Sequence, residues 1–270
     1  MKMIYERIAG FKDGPRSALE ERKAKNRAMV AQCIKIAKKD YYDSSIGEHG
    51  FEDTVVNRGL FTKVWSHGEM RPPLAPYLLG IHARDFLSLE RAVNGKRILL
   101  VGGGRSLGDL TSDPRFTPRL ILNADRYLSH EIIDHRQTAG SYRSLQLDPT
   151  SKDFLTELHA AGYDKFDEIW ATWSLPHYCK NMEEIPQYFS NMYDSLGADS
   201  YFRTFPIGFV IEDMPPMRRN LMLEALSAGL EKGLGNIAEK DDTEVSIHEN
   251  IESILDFRTP ATLIVHRMKE

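Results

Sequence analysis

Residues Arg97–Asp109, RILLVGGGRSLGD, set three consecutive glycines directly after an apolar run. The run Ile98–Val101 reads as a buried strand. Glycines at its end let the chain turn sharply and leave backbone amides open to a ligand. A second run, Leu120–Leu122, ends in Asn123, Ala124 and Asp125, so it brings a carboxylate to the same edge of a parallel sheet. A glycine turn beside an acid at the next strand tip suits an adenosine-type nucleotide, the acid accepting from ribose hydroxyls. The plainer alternatives are ordinary loop glycines at Gly102 and Gly104 and a helix N-cap at Asp125.

Two further places carry reactive groups. Asp148-Pro149-Thr150-Ser151 offers an acid that is either a ligand residue or the start of a helix. Downstream, FDEIWATWSLPHY (166–178) brings Ser174 to the tip of an apolar strand, with His177 and Tyr178 just beyond. Histidine titrates near neutral pH, so His177 is the best general base, against a surface histidine that only orients its loop. Tyr178 either binds substrate or packs beneath that loop. At least one of Trp170 and Trp173 reads as core, His67 as a structural histidine, and Met214 to Met217 as packing or an apolar substrate wall. Nothing has the spacing of a metal cluster or a Ser/His/Asp arrangement.

A sheet must position these groups. From Lys96 strand and helix patterns alternate, the signature of a parallel α/β sheet. Strands are expected at Arg97–Val101, Leu120–Ala124, Tyr142–Leu147, Glu168–Trp173 and Ser200–Phe205. Ser151 is expected to cap a helix carrying Phe154, Leu155 and Leu158. Another carries Ile185, Phe189, Met192 and Leu196 and stops at Gly197. Pro215–Lys232 reads as a third, with Leu221, Leu223, Leu226 and Leu230 inward. Two short apolar runs, Ser253–Phe257 and Ala261–His266, suit a closing hairpin. Ahead of the sheet, Ser17–Lys39 opens with the capping box SALE and sets Ala24, Ala28, Ala31 and Ile34/Ile36 on an apolar face. Asp40–Gly50 reads as loop, and Leu74, Leu78 and Ile81 as a helix leading to Asn94-Gly95.

Composition bounds the function. A chain of 270 residues with 41% hydrophobic and 27% charged residues is long enough for a sizeable core. The net charge of −4 gives no global attraction to nucleic acid or an anionic membrane. The basic stretch Arg22, Lys23, Lys25, Arg27, Lys35, Lys38, Lys39 has helical spacing with acids mixed in, and reads as a solvated face. Cys33 and Cys179, the only cysteines, lie far apart, which argues for free thiols in a reducing compartment. The opening MKMIYERIAGFKDG lacks the apolar core of a signal peptide, so a cytoplasmic protein is expected.

Together these pieces resemble a class I S-adenosylmethionine-dependent methyltransferase of the small-molecule type, from about Lys96 to the C-terminus. Val101-Gly102-Gly103-Gly104 matches the family's glycine turn after the first strand, Asp125 the ribose acid after the second, and Asp148 the acid near the adenine after the third. FDEIWATWSLPHY is similar to its fourth strand, whose end faces the reacting methyl group, and TLIVHRMK to its last, antiparallel strand. Upstream, Tyr41-Tyr42-Asp43 is similar to an N-terminal loop that closes over the cofactor in small-molecule members. The resemblance implies a Rossmann-like three-layer αβα sandwich. Its mostly parallel seven-stranded sheet would have an antiparallel last strand and carry an N-terminal helical cap. It divides the chain into a cap or lid at 1–92 and a core at 93–270. It also implies S-adenosylmethionine as cofactor, S-adenosylhomocysteine as product and a small-molecule acceptor, with neither nucleic acid nor membrane as partner. Gly102, Gly103, Gly104, Asp125, Arg126, Asp148, Ser174 and Tyr42 are the implied cofactor residues, and His177 and Tyr178 the catalytic ones.

Some positions depart from the family. Leu100 stands where an acid is common, Ser106 replaces the last glycine of the turn, and Pro114 and Pro118 shorten the following helix. Three rivals follow. An aminopropyltransferase of the spermidine synthase type shares the fold, but needs an acid where Trp173 and Ser174 stand. A nicotinamide dehydrogenase fits Gly102, Gly104 and Gly108 loosely, without a Tyr-x-x-x-Lys pair. A non-catalytic binding module would explain the departures at Leu100 and Ser106.

Overall fold

Residues 98–101 and 121–124 are buried throughout, as the middle of a parallel sheet with both faces covered requires. The computed structural model describes residues 15–39, 41–43, 86–102, 116–126, 141–172, 174–176, 179, 181–211, 214–249 and 261–269. Within them the chain runs α1 (Pro15–Lys39), β1 (Tyr42–Asp43), α2 (Phe86–Val93), β2 (Arg97–Val101), β3 (Leu120–Ala124), β4 (Tyr142–Leu145) and α3 (Phe154–Ala160). It continues through β5 (Phe166–Thr172), α4 (Glu184–Asp194), β6 (Leu196–Phe205), β7 (Val210–Ile211), α5 (Pro216–Ala238), β8 (Thr243–Glu249) and β9 (Ala261–Arg267).

Seven strands make one sheet in the order β4-β3-β2-β5-β6-β9-β8, with β9 antiparallel to both neighbours. Counted along the chain within this sheet, the order is 3-2-1-4-5-7-6, the Rossmann-like methyltransferase topology. Connections run outward from β2 through β3 to β4, then return to the other side at β5. The direction therefore reverses between β2 and β5, and ligands of open α/β sheets bind at the carboxyl ends of the strands at such a reversal.

The main core lies where one sheet face meets α1, α3, α4 and α5. Leu99, Val101, Ile169, Phe202 and Val265 from the sheet pack with Val30, Phe154, Phe189 and Leu230 from the helices. Tyr188, Phe189 and Phe202 meet edge to face, with ring centroids 5.2–5.9 Å apart, a favoured aromatic geometry. Helix α5 comes close to the approach of α4 because Gly229 has no side chain; a Cβ there would lie 2.6 Å from the Met182 carbonyl oxygen.

Helix α1 runs beside α5 and the edge strand β8. Its buried residues are Asn26, Val30, Cys33 and Ala37, whereas Ala24, Ala28 and Ala31, expected inward, are exposed. Asn26 explains the rotation of the face. Its Nδ2 donates to the carbonyls of Thr243 (2.9 Å) and Ala238 (3.3 Å), and its Oδ1 accepts from the Val245 amide (2.9 Å). One side-chain amide thus pairs with the open edge of β8 as a further strand would, and an unpaired sheet edge is otherwise a liability. Lys23, Lys25, Arg27 and Lys38 pair with Asp241, Glu244, Glu239 and Glu224 at 2.6, 2.9, 2.8 and 2.7 Å. Exposed pairs of this kind orient more than they stabilise. Four charges of the basic stretch are therefore matched by acids of the same chain, not simply solvated.

Several local expectations need correction. The helix begins at Pro15, so SALE lies inside it. Proline suits the first turn because it has no amide to leave unpaired. Ser151 does not cap α3. Its hydroxyl accepts from the Asp153 amide in the preceding turn, and Asp153 is the N-cap residue. Leu196 and Gly197 open β6 rather than close α4. Leu221 is exposed on a helix whose inward residues include Leu223, Leu226 and Leu230. The partner of β9 is β8, TEVSIHE, whose Val245 and Ile247 alternate with polar residues; residues 253–257 lie outside the described ones.

Asn26→Ala removes three hydrogen bonds and leaves the Thr243 carbonyl and Val245 amide unpaired in a buried setting. The expected cost is about 2–3 kcal/mol in urea unfolding, on the scale of leaving buried polar groups unsatisfied. A loss below about 0.5 kcal/mol, the range of an ordinary surface substitution, would contradict the edge-pairing role.

Candidate functional site

The carboxyl ends of β2, β3, β4 and β5 bring most of the described candidate residues to one edge of the sheet. At the end of β2 the chain turns at Gly102, whose φ of +61° is left-handed. Its amide donates to the Ala124 carbonyl (2.9 Å), continuing the ladder to β3. A Cβ on Gly102 would lie 2.5 Å from Ser174 Oγ. Glycine is thus required twice, by conformation and by space.

Ser174, beyond β5, is buried and donates its hydroxyl to the Val101 carbonyl at 2.6 Å. That bond ties the tips of β2 and β5 across the point where the sheet reverses. The next residue is pinned as well: the Leu175 carbonyl accepts from Tyr188 Oη (3.1 Å) and Thr204 Oγ1 (2.9 Å). Burial pushes the Tyr188 phenol well above its ordinary pKa, which keeps it a donor. The backbone leading to His177 and Tyr178 is therefore fixed from β6 and α4. His177, Tyr178, Gly103 and Gly104 themselves lie outside the described residues.

Asp125 follows β3 and is 7% exposed. Its amide donates to the Leu145 carbonyl and its carbonyl accepts from the Leu147 amide, which holds it between the tips of β3 and β4. Arg126 comes next, with its guanidinium 3.8 Å from Asp148 and 4.0 Å from Glu184 at the start of α4. Asp148 also shapes its own turn, Oδ1 accepting from the Thr150 amide (2.9 Å) and hydroxyl (2.7 Å). Asn191 of α4 locks that turn by donating to the carbonyls of Pro149 (2.9 Å) and Ser151 (2.8 Å). Cys179 is buried beside this charged group, and burial pushes its thiol pKa up.

Tyr42 reaches the same edge by another route. Strand β1 pairs in parallel with β7, Tyr42 opposite Val210 and Asp43 opposite Ile211, beyond the carboxyl end of β6. Leu100, at the position where the family has an acid, is buried in register with Asn123 and Trp170. Two residues here escaped the sequence reading. Glu184 completes the charged group around Arg126, and only an acid in a helix's first turn hinted at it. Thr172, the last residue of β5, has an enclosed Oγ1 with no hydrogen-bond partner among the described residues. No signal in the sequence marks it. Among the described residues no group of His, Cys, Asp and Glu could hold a metal ion, and no helix is long and apolar enough to cross a membrane.

No family model matches the chain, and no curated protein matches it. Solved structures do. An O-methyltransferase from Bacillus cereus, in complex with S-adenosylhomocysteine, is 15% identical with a TM-score of 0.48, over 80% of this chain and 89% of that one. The 1,6-didemethyltoxoflavin-N1-methyltransferase of Burkholderia thailandensis is 16% identical with a TM-score of 0.47, over 81% and 87%. TrmN from Thermus thermophilus is 14% identical with a TM-score of 0.43; 77% of this chain spans 53% of its length. The fold assignment itself rests on this chain's own strand order.

The junction at Gly102 can be tested by stability. Gly102→Ala should cost about 2 kcal/mol or more, combining the left-handed penalty with the clash. Ser174→Ala should cost about 1 kcal/mol, the scale of one hydrogen bond. The double variant should cost less than the sum, because both changes act through one hydroxyl. Strict additivity in urea unfolding would contradict the contact.

Proposed function

We propose that the crevice at the tips of β2, β3 and β5 binds S-adenosylmethionine and that the chain transfers its methyl group to a small or medium-sized acceptor. The observation that carries this reading is the buried Asp125 one strand away from the left-handed Gly102, at the reversal of the sheet. The residues fit the cofactor: a buried acid for the ribose and the Arg126–Asp148 pair for the base. The residues that would hold it are Gly102, Gly103, Gly104, Asp125, Arg126, Asp148, Ser174 and Tyr42. Bound there, the sulfonium supplies a methyl carbon already activated toward displacement.

The chain's own part is alignment and proton removal. Asp125 accepts from the ribose hydroxyls. Ser174 keeps the tips of β2 and β5 at a fixed separation. His177 would take the proton from the acceptor's nucleophilic atom as its bond to the methyl carbon forms, and Tyr178 would orient that acceptor. The bond that breaks in exchange is the methyl carbon's bond to sulfur, with S-adenosylhomocysteine as the leaving group. Residues 93–270 act as the catalytic core; within 1–92 the Tyr41–Asp43 segment is the proposed lid, because α1 docks along α5 and β8. A small acceptor, rather than nucleic acid, is supported by the pairing of four basic α1 side chains with acids of the same chain. Two buried free cysteines suit a reducing cytoplasm.

Calorimetry with S-adenosylhomocysteine, followed by turnover on a panel of phenols, catechols, amines and carboxylates, tests the reading. Asp125→Ala should weaken binding by about 1–3 kcal/mol, the scale for losing a charged hydrogen-bond partner. Absence of binding by the unaltered protein would overturn the reading. Normal binding by the Asp125 variant would overturn the ribose assignment. His177→Ala should lower turnover by about 10²-fold or more, the scale of general-base catalysis, with cofactor affinity nearly intact. Unchanged turnover would remove His177 from the mechanism.

A further inference from the structure

A parallel pair only two residues long has no stability of its own, yet β1 lies on β7, which follows the carboxyl end of β6 in the chain. Something other than the ladder must seat it. Arg219 stands in the first turns of α5, where a cation is disfavoured by the positive end of the helix dipole. Among the described residues its guanidinium makes two hydrogen bonds. Nη1 donates to the Tyr41 hydroxyl at 3.3 Å, and Nη2 donates to the Met214 carbonyl at 3.3 Å. The guanidinium also lies 5.9 Å from the centre of the Tyr41 ring, within cation–π range. Tyr41 directly precedes β1, and Met214 lies between β7 and α5. One planar fork therefore grips the flanks of both short strands. Lys38, three residues before Tyr41, reinforces the grip through its ion pair with Glu224 of the same helix at 2.7 Å.

We infer that Arg219 is a positioning residue that seats the Tyr41–Asp43 strap as a wall on the acceptor side of the crevice. The inference rests on the reading above. If Asp125 at the tip of β3 takes the ribose, the methyl-bearing end points toward β5 and β6, and the β1–β7 pair stands beyond the tip of β6. Arg219 touches neither ligand. It acts through Tyr41, and through the backbone that carries Tyr42 and Asp43.

Hydrogen–deuterium exchange on the full chain reads the seating directly. In Arg219→Ala, peptides containing 41–43 and 210–211 should exchange about ten-fold faster, while β2–β6 peptides stay unchanged, as local opening without global unfolding requires. Arg219→Lys keeps the charge but not the fork, and should restore protection only in part. Arg219→Ala and Tyr41→Phe should be non-additive in a double-mutant cycle. On whichever panel acceptor is methylated, KM for that acceptor should rise about ten-fold, and KM for S-adenosylmethionine should rise with it, because Tyr42 lies on the same strap. Unchanged exchange in the two segments, a uniform rise across the sheet, or an unchanged KM for the acceptor would overturn the inference. Failure of the unaltered protein to bind S-adenosylhomocysteine would overturn the cofactor reading instead, and the exchange comparison would still decide whether Arg219 seats the strap.

Discussion

The Ser174 hydroxyl on the Val101 carbonyl, packed against a residue that must be glycine, is the contact on which the site depends. A parallel sheet whose connections reverse between β2 and β5 leaves those two tips unlinked by chain. The β2–β5 ladder fixes the spacing as far as Leu100 and Trp170; past it, without a tie, the separation of the tips would follow the flexing of two loops. The 2.6 Å bond sets it instead, and the left-handed turn at Gly102 makes room for the hydroxyl that forms the bond. Around this tie the neighbouring tips are held in turn. Asp125 is fixed between β3 and β4 by two backbone bonds, the Asp148 turn by Asn191, and the Leu175 carbonyl by Tyr188 and Thr204. Rigid support under a polar edge is what pre-organised binding of a small charged ligand demands.

The far side of the sheet solves a different problem and contributes to the same edge. Strand β8 would leave its outer backbone groups unpaired, and Asn26 takes them up with a single amide. Docking α1 there aims its C-terminal end along α5, so the chain leaves the helix near the first turns of α5. The edge protection of the sheet thus also sets where the Tyr41–Asp43 strap begins. Packing, edge pairing and the layout of the site are linked through one helix.

Much of the sheet was legible in the sequence, because buried parallel strands leave continuous apolar runs bounded by turn residues. Arg97–Val101 and Leu120–Ala124 coincide with β2 and β3 to the residue, and Gly102 and Asp125 stand directly beyond their ends. Misses cluster where tertiary contacts override local pattern. The inward face of α1 centres on a polar residue, which no hydrophobic periodicity can reveal, since Asn26 is buried for its hydrogen bonds. Strand β8 alternates Val245 and Ile247 with Thr, Glu, Ser and His, a short half-apolar signal that the stronger runs beside it obscured. Asp148 reads from sequence as either turn former or ligand residue; the turn is formed, and the same carboxylate also pairs with Arg126. Glu184 and Arg219 act across elements far apart in the chain, so their roles emerge only once the helices are packed.

The central claim is that an adenosyl sulfonium occupies the edge tied by Ser174, with its ribose on Asp125. A crystal structure of the protein grown with S-adenosylhomocysteine tests it most directly. The account predicts ribose density within hydrogen-bonding distance of the Asp125 carboxylate and the sulfur over the tips of β2 and β5. Density for the nucleoside elsewhere on the molecule, or a crevice closed by side chains at saturating ligand, would contradict it.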